Sequence, residues 1–176
     1  ISALDISPIS DYNKSEIGLG GTEMPDLSFP QFISAYNTLY KETDQLYHKI
    51  ASYFHLPDAA FWILYVLLED EGGVSQRQLV SGLAMSKQTI SSAMKGLEAR
   101  GCIRLSNGRG RQKLIHLTDR GRELAEGTVR LARQMEERAF LGLTQEQCEG
   151  LLACNRSWLD LLRRESEVIF QTSQEE

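Results

Sequence analysis

A mainly α-helical chain with one helix-turn-helix, a two-stranded β hairpin and long helices at both ends is predicted by three observations. Apolar residues recur at steps of three and four before residue 56 and after residue 123. Two short segments over 75–100 each begin with a serine placed to cap a helix. An Asn-Gly pair separates two short apolar stretches beyond them. With 176 residues, a net charge of −5 and 41% hydrophobic residues, the chain suffices for one domain or two small ones with a real core. Its longest apolar run, Ala59 to Leu68, is about half of the roughly 20 residues that span a bilayer, so no membrane partner is expected. Cys102, Cys148 and Cys154 are odd in number and lack metal-type spacing. They argue against a disulfide scaffold and fit a reducing cytoplasm.

Residues 1–30 are interrupted by Pro8, Gly18, Gly20, Gly21, Pro25 and Pro30 and are read as an N-terminal extension. Met24 is a plausible start, so residues 1–23 are left out of the functional argument. From Gln31 to His55 the positions Phe32, Ile33, Tyr36, Leu39, Tyr40, Leu46, Tyr47, Ile50, Tyr53 and Phe54 form one amphipathic stripe. Such a helix is too long to be covered by a small local core. Pro57 is expected to end it, and Asp58 to cap a second helix that Gly72 and Gly73 stop. Ser75 and Gln78 fit a capping box for a short helix carrying Leu79, Val80 and Leu83, and Ser86 caps another that runs to Arg100 and halts at Gly101. Two short helices joined at Ala84 and Met85 make a helix-turn-helix candidate. Strands are expected over 102–105 and 113–117, around a basic loop of residues 107–112. Thr118 then caps a helix expected to run from Asp119 to Phe140, and Thr144 with Gln147 opens a last helix to about Phe170, striped by Cys148, Leu151, Leu152, Asn155, Trp158, Leu159 and Leu162.

Charge singles out the middle of the chain. Between Ser75 and Arg122 ten basic residues face only Glu98 and Asp119, a local +8 that leaves −13 on the rest. A basic block in an acidic protein suggests a local surface for a polyanion. In the second short helix, Ile90, Ala93, Met94 and Leu97 share one apolar face, while Gln88, Ser91, Ser92 and Lys95 have the same spacing about 200° around. Small hydroxyls, an amide and a cation allow close approach to a groove: Gln pairs bidentately with adenine, Lys with guanine, Ser with several partners. Arg109 and Arg111, with Lys113 beside them, project from the hairpin loop, where guanidinium forks hold phosphates or enter a minor groove. Helix, polar face and basic wing in sequence point to double-stranded DNA. The DNA-contacting set is Gln76, Lys87, Gln88, Thr89, Ser91, Ser92, Lys95, Arg109, Arg111 and Lys113.

From Ser75 to Gly121 this order resembles the winged helix-turn-helix of the MarR family of bacterial transcription regulators. The resemblance is carried by residues 83–91 (Leu-Ala-Met-Ser-Lys-Gln-Thr-Ile-Ser), 97–103 (Leu-Glu-Ala-Arg-Gly-Cys-Ile) and 117–121 (Leu-Thr-Asp-Arg-Gly), and with the flanking helices it covers about residues 31–170. The family wing usually carries an Asp two residues before an Arg. Here Arg109 and Arg111 occupy those positions, so only Arg111 carries over. The resemblance implies a homodimer that binds operator DNA, regulates transcription as a repressor and is released by a small ligand. The expected organisation is a dimerisation helix over 31–56, a winged helix-turn-helix DNA-binding domain over 57–122, dimerisation helices over 123–170 and a tail over 171–176. An aromatic or apolar effector is expected near Tyr36, Tyr40, Phe61, Trp62 and Tyr65, where the long first helix, the second helix and the wing domain meet; the alternative is that this aromatic stripe, at helical spacing, is core.

Other chemistries find little support. Ser92 and Lys95 match a Ser-x-x-Lys pair, but no Lys-Thr-Gly partner occurs and both belong to the proposed DNA face. Gly18, Gly20 and Gly21 lack the third glycine and the strand of a dinucleotide site. Asp44 and His48 are four apart on one helix face, but His55 lies too far along it to share an ion, so His48 is read as a surface or interface histidine. No enzyme, metal or cofactor is implied. The rival reading is a winged-helix module whose basic face binds an acidic protein.

Overall fold

The computed structural model describes residues 28–108 and 112–172, with side chains as far as 170. The chain divides into two compact units, Ile1–Gln45 and Leu46–Glu176. Helix α1, Phe29–Tyr53, crosses that boundary. In the first unit Ser28 donates from its amide and its hydroxyl to Gln31 Oε1. The helix thus starts two residues before Gln31, with Pro30 inside it. A proline in the first turn gives up an N–H that has no helical partner there. The Phe32 and Tyr36 rings stack with centroids 6.0 Å apart.

The second unit is built around α2, Asp58–Glu69, in which Ala60, Phe61, Ile63, Leu64, Leu67 and Leu68 are buried. Helix α1 ends at Tyr53, before Pro57, through a left-handed residue at His55 (φ +55°) and a bond from the Leu56 amide to the Ala51 carbonyl. Asp58 does not cap α2. Pro57 holds the cap position with no side-chain bond, and the Asp58 carboxylate instead meets His48 Nδ1 at 2.9 Å. His48 is thereby tied across the α1–α2 elbow.

Beyond α2 come strand β1, Val74–Ser75, helix α3, Gln76–Leu83, helix α4, Lys87–Ala99, and strands β2, Ile103–Asn107, and β3, Lys113–Leu117. The hairpin pairs Ile103 with Leu117 through to Asn107 with Lys113, and β1 adds to the far edge of β3, giving the order β1-β3-β2. A two-residue strand has no periodicity to read, which is why the sequence predicts only the hairpin. Gly73 (φ +86°) admits β1 to the sheet, since a Cβ there would overlap the His116 ring.

The single helix expected from Asp119 to Phe140 is two: α5, Asp119–Glu126, and α6, Val129–Leu141. Gly127 has poor helix propensity, and the Thr128 hydroxyl donates to the Leu124 carbonyl at 2.6 Å, offering the backbone an alternative to the helix. The break lets Ala125, Thr128, Val129 and Ala132 all be buried. The sequence 117–121 finds its reason here. Thr118 caps α5 by accepting from the Gly121 amide at 3.0 Å and donates its hydroxyl to the Gly101 carbonyl at 2.6 Å. Gly121 passes so close to the Cys102 carbonyl that a Cβ would overlap it.

Helix α7, Gln145–Thr172, opens with the expected Thr144–Gln147 capping pair. Its Leu151 and Leu152 are exposed at 58% and 64%. Among the described residues no single helix is long and apolar enough to cross a membrane.

Candidate nucleic-acid interface

Local chemistry holds α3 and α4 at a fixed turn. Ser75 and Gln78 form the full capping box of α3: the Gln78 amide donates to Ser75 Oγ, and the Ser75 amide donates to Gln78 Oε1 at 2.9 Å. Ala84 then takes a left-handed conformation (φ +50°), and Ser86 caps α4 by accepting from the Thr89 amide at 3.0 Å. A non-glycine residue in that region costs roughly 1 kcal/mol, offset by the core that the turn closes. Within it, Leu79, Ile90 and Leu97 are at most 1% exposed, and Ala93 and Met94 pack at its edge.

Burial on that side fixes what α4 presents on the other. Lys87, Gln88, Ser92 and Lys95 are exposed and Ser91 is half-buried. Thr89 and Ser92 sit further round, on the rim of a groove of about 380 Å³ floored by Ala59, Ala60, Ala93, Gly96 and Leu97 and edged by Arg100. Glu98, near the C-terminal end, is the lone carboxylate of α4, and the first turns of α3 and α4 have no acidic residue. Each starts instead with a cation in its first turn, Arg77 or Lys87. A cation at the positive end of a helix dipole opposes stability by a few tenths of a kcal/mol, and a bound anion reverses that sign.

The wing base joins this surface. Ser75, Gln76, Arg77, Gln112 and Lys113 line one cleft of about 490 Å³, so Gln76 and Lys113, 37 positions apart in the sequence, share a wall. Lys113 Nζ donates to Asn107 Oδ1 at 2.6 Å, and the Gly108 amide donates to the Gln112 carbonyl at 2.8 Å, bracing the root of the hairpin. Arg109 and Arg111 lie outside the described residues. Arg77 is absent from the sequence-based set; its place in the first turn of α3, inside the basic block, is the signal that marks it.

The residues expected around an effector divide between the units, with Tyr36 and Tyr40 in the first and the others in the second. Phe61 is fully buried in the core, while Trp62 and Tyr65 are half-buried. Sequence reading missed the polar group beside them. Tyr47 and Tyr65 both donate to the Glu136 carboxylate, Arg133 lies 4.8 Å from the Tyr65 ring centroid, and Arg133 Nη1 meets Glu69 at 2.6 Å. Burial first, then the bond to Glu136, pushes the Tyr65 phenol up to about 12 and raises that of Tyr47 further.

Helix-turn-helix, hairpin wing and a carboxylate-poor outer face on α4 together define a winged helix-turn-helix protein. Residues 56–112 match the MarR family model. The fold is shared with solved structures at low identity. A MarR family regulator from Neisseria meningitidis is 21% identical with a TM-score of 0.66, over 76% of this chain and 94% of that one. The Staphylococcus aureus MepR–DNA complex is 20% identical with a TM-score of 0.62, over 79% and 99%. A MarR family transcriptional regulator from Silicibacter pomeroyi is 22% identical with a TM-score of 0.61, over 78% and 94%. No curated protein sequence matches the chain significantly.

Proposed function

We propose that the chain is a cytoplasmic, homodimeric, operator-binding transcriptional regulator without enzymatic activity, acting as a repressor that a small aromatic or apolar effector releases from DNA. One observation carries the reading: α4 buries Ile90 and Leu97 and turns outward Lys87, Gln88 and Lys95, a face able to approach base edges with no carboxylate to repel phosphates. MepR, with the same fold, was solved as a complex with DNA. Gln88, Ser91 and Lys95 read the major groove, Lys87 and Arg77 hold phosphates at the two helix starts, and Gln76, Lys113, Arg109 and Arg111 hold the backbone or minor groove at the wing. Thr89 and Ser92 contact the sugar-phosphate edge.

The apolar stripe of α7 supports a dimer, because leucines exposed at 45–64% over Leu151, Leu152, Leu159 and Leu162 are a surface that a second copy would cover. An effector reaching Trp62 and Tyr65 would act by favouring a dimer with misplaced recognition helices. A 100-fold loss of operator affinity needs about 2.7 kcal/mol of coupling, and by reciprocity the operator must weaken effector binding by the same factor.

Equilibrium binding to a selected operator and to random duplex tests the division of labour. Arg111→Ala should weaken both alike and lower the salt slope by about one. Gln88→Ala should lose discrimination at one operator position. Equal loss on every sequence would show that Gln88 does not specify, and tight binding to an acidic protein with none to duplex would favour an interaction module.

A further inference from the structure

Beyond its first turn, α6 grips α2 through polar groups. The buried residues of α6 are Val129 and Ala132, both beside the break at Gly127 and Thr128. Glu136 stands seven residues after Val129, about 10 Å further along the axis. There its Oε1 accepts the Tyr47 hydroxyl at 2.5 Å and its Oε2 accepts the Tyr65 hydroxyl, so one carboxylate gathers α1, α2 and α6. Arg133, on the Tyr65 ring and on Glu69, adds a second tie from α6 to α2. Helix α2 in turn carries α4, since Phe61, Leu64, Ile90 and Leu97 belong to one core cluster. Apolar burial is non-directional, whereas a charge-assisted hydrogen bond weakens steeply off its axis. The apolar contacts therefore make a pivot near Val129, and the two phenols on Glu136 fix the direction in which α6 leaves it.

We infer that Glu136, with Tyr47 and Tyr65, is a positioning residue for DNA binding: by setting the direction of α6 on α2 it sets the spacing between the recognition helices of two copies. The inference rests on the dimeric DNA-binding reading above. Helix α7 follows α6, and its 28 residues extend about 42 Å. A swing of about 10° at the pivot would carry the end of α6, 13 residues or about 20 Å on, through about 3.4 Å, the rise of about one base pair, and would turn α7 by the same angle. A small angular freedom at the clamp thus becomes a whole-base-pair error between half-sites.

The test uses the full chain and a set of duplexes carrying the selected operator with half-site spacing changed by one and two base pairs. In Glu136→Gln the preference for native spacing over a two-base-pair change should fall at least tenfold, while single half-site affinity stays close to that of the parent and the cooperative thermal transition is kept at a lower midpoint. Tyrosinate absorbance reports the clamp without DNA: in the variant a high-pH step should move toward the ordinary tyrosine range near 10. Tyr65→Phe, which removes one hydroxyl, should flatten the spacing preference at least threefold, and it replaces Glu136→Gln if that variant does not fold. A folded variant with shifted tyrosine titration and an unchanged spacing preference overturns the inference. A parent chain that shows the tyrosine steps yet selects no operator overturns the DNA-binding reading and takes the inference with it.

Discussion

Helices α2 and α7 are both rich in leucine and use it in opposite ways. In α2 six of twelve residues are buried, among them Phe61, Ile63 and Leu64 with no exposed surface. In α7 no described side chain is buried, and Leu151, Leu152, Leu159 and Leu162 are 45–64% exposed. One helix holds the winged domain together, and the other offers surface outward. Substitutions around α2 should therefore unfold the domain, whereas substitutions on α7 should change assembly and leave the fold in place.

The largest effect is expected at the closest approach within the winged domain. Gly121→Ala would drive a methyl group into the Cys102 carbonyl and force α5 away from the β2 entry, costing about 3 kcal/mol or more, as overpacking against backbone does. Chemical denaturation measures it, and a loss under 1 kcal/mol would mean that the α5 junction yields easily. Leu151→Asp with Leu159→Asp should raise the dimer dissociation constant at least 100-fold, about 2.7 kcal/mol, with the thermal midpoint of the winged domain nearly unchanged. Sedimentation would show it, and a dimer that survives both changes would place the interface elsewhere. Gln88→Ala comes next, at about 1 to 3 kcal/mol of discrimination confined to one operator position. Ser86→Ala should cost about 1 kcal/mol of stability, the worth of an N-cap, and should lower affinity for all duplexes through a frayed α4 start.

Alkaline titration separates the two regions by another route. Tyr65 lies in the polar clamp on α2 and is held neutral up to about 12, so its contribution to stability is complete below pH 10 and is lost as pH rises toward 12. Unfolding midpoints measured from pH 9 to 12 should fall over that window in the parent and less in Glu136→Gln.

Most of the winged domain was legible because its signals are local. Ser75, Ser86, Thr118 and Thr144 announce helix starts by a hydroxyl three residues before the amide that it satisfies, and each behaves so in the fold. The polar face of α4 was legible from periodicity alone. The unread features depend on partners distant in sequence. Strand β1 exists because β3 offers it an edge, and Asp58 leaves the cap position because His48 stands ten residues away. The α5–α6 break had a local trace in Gly127 and Thr128, but apolar spacing runs across it unbroken. Glu136 sits 89 positions from Tyr47, and no local pattern announces a carboxylate that will receive two phenols.

Selection of bound sequences from a random duplex pool, using the intact chain, tests the central claim most directly. Enrichment of an imperfect palindrome is expected, with half-site centres one turn, about 34 Å, apart, bound by a dimer. A pool that stays random while the chain remains folded, or a single half-site bound tightly by a monomer, would contradict it.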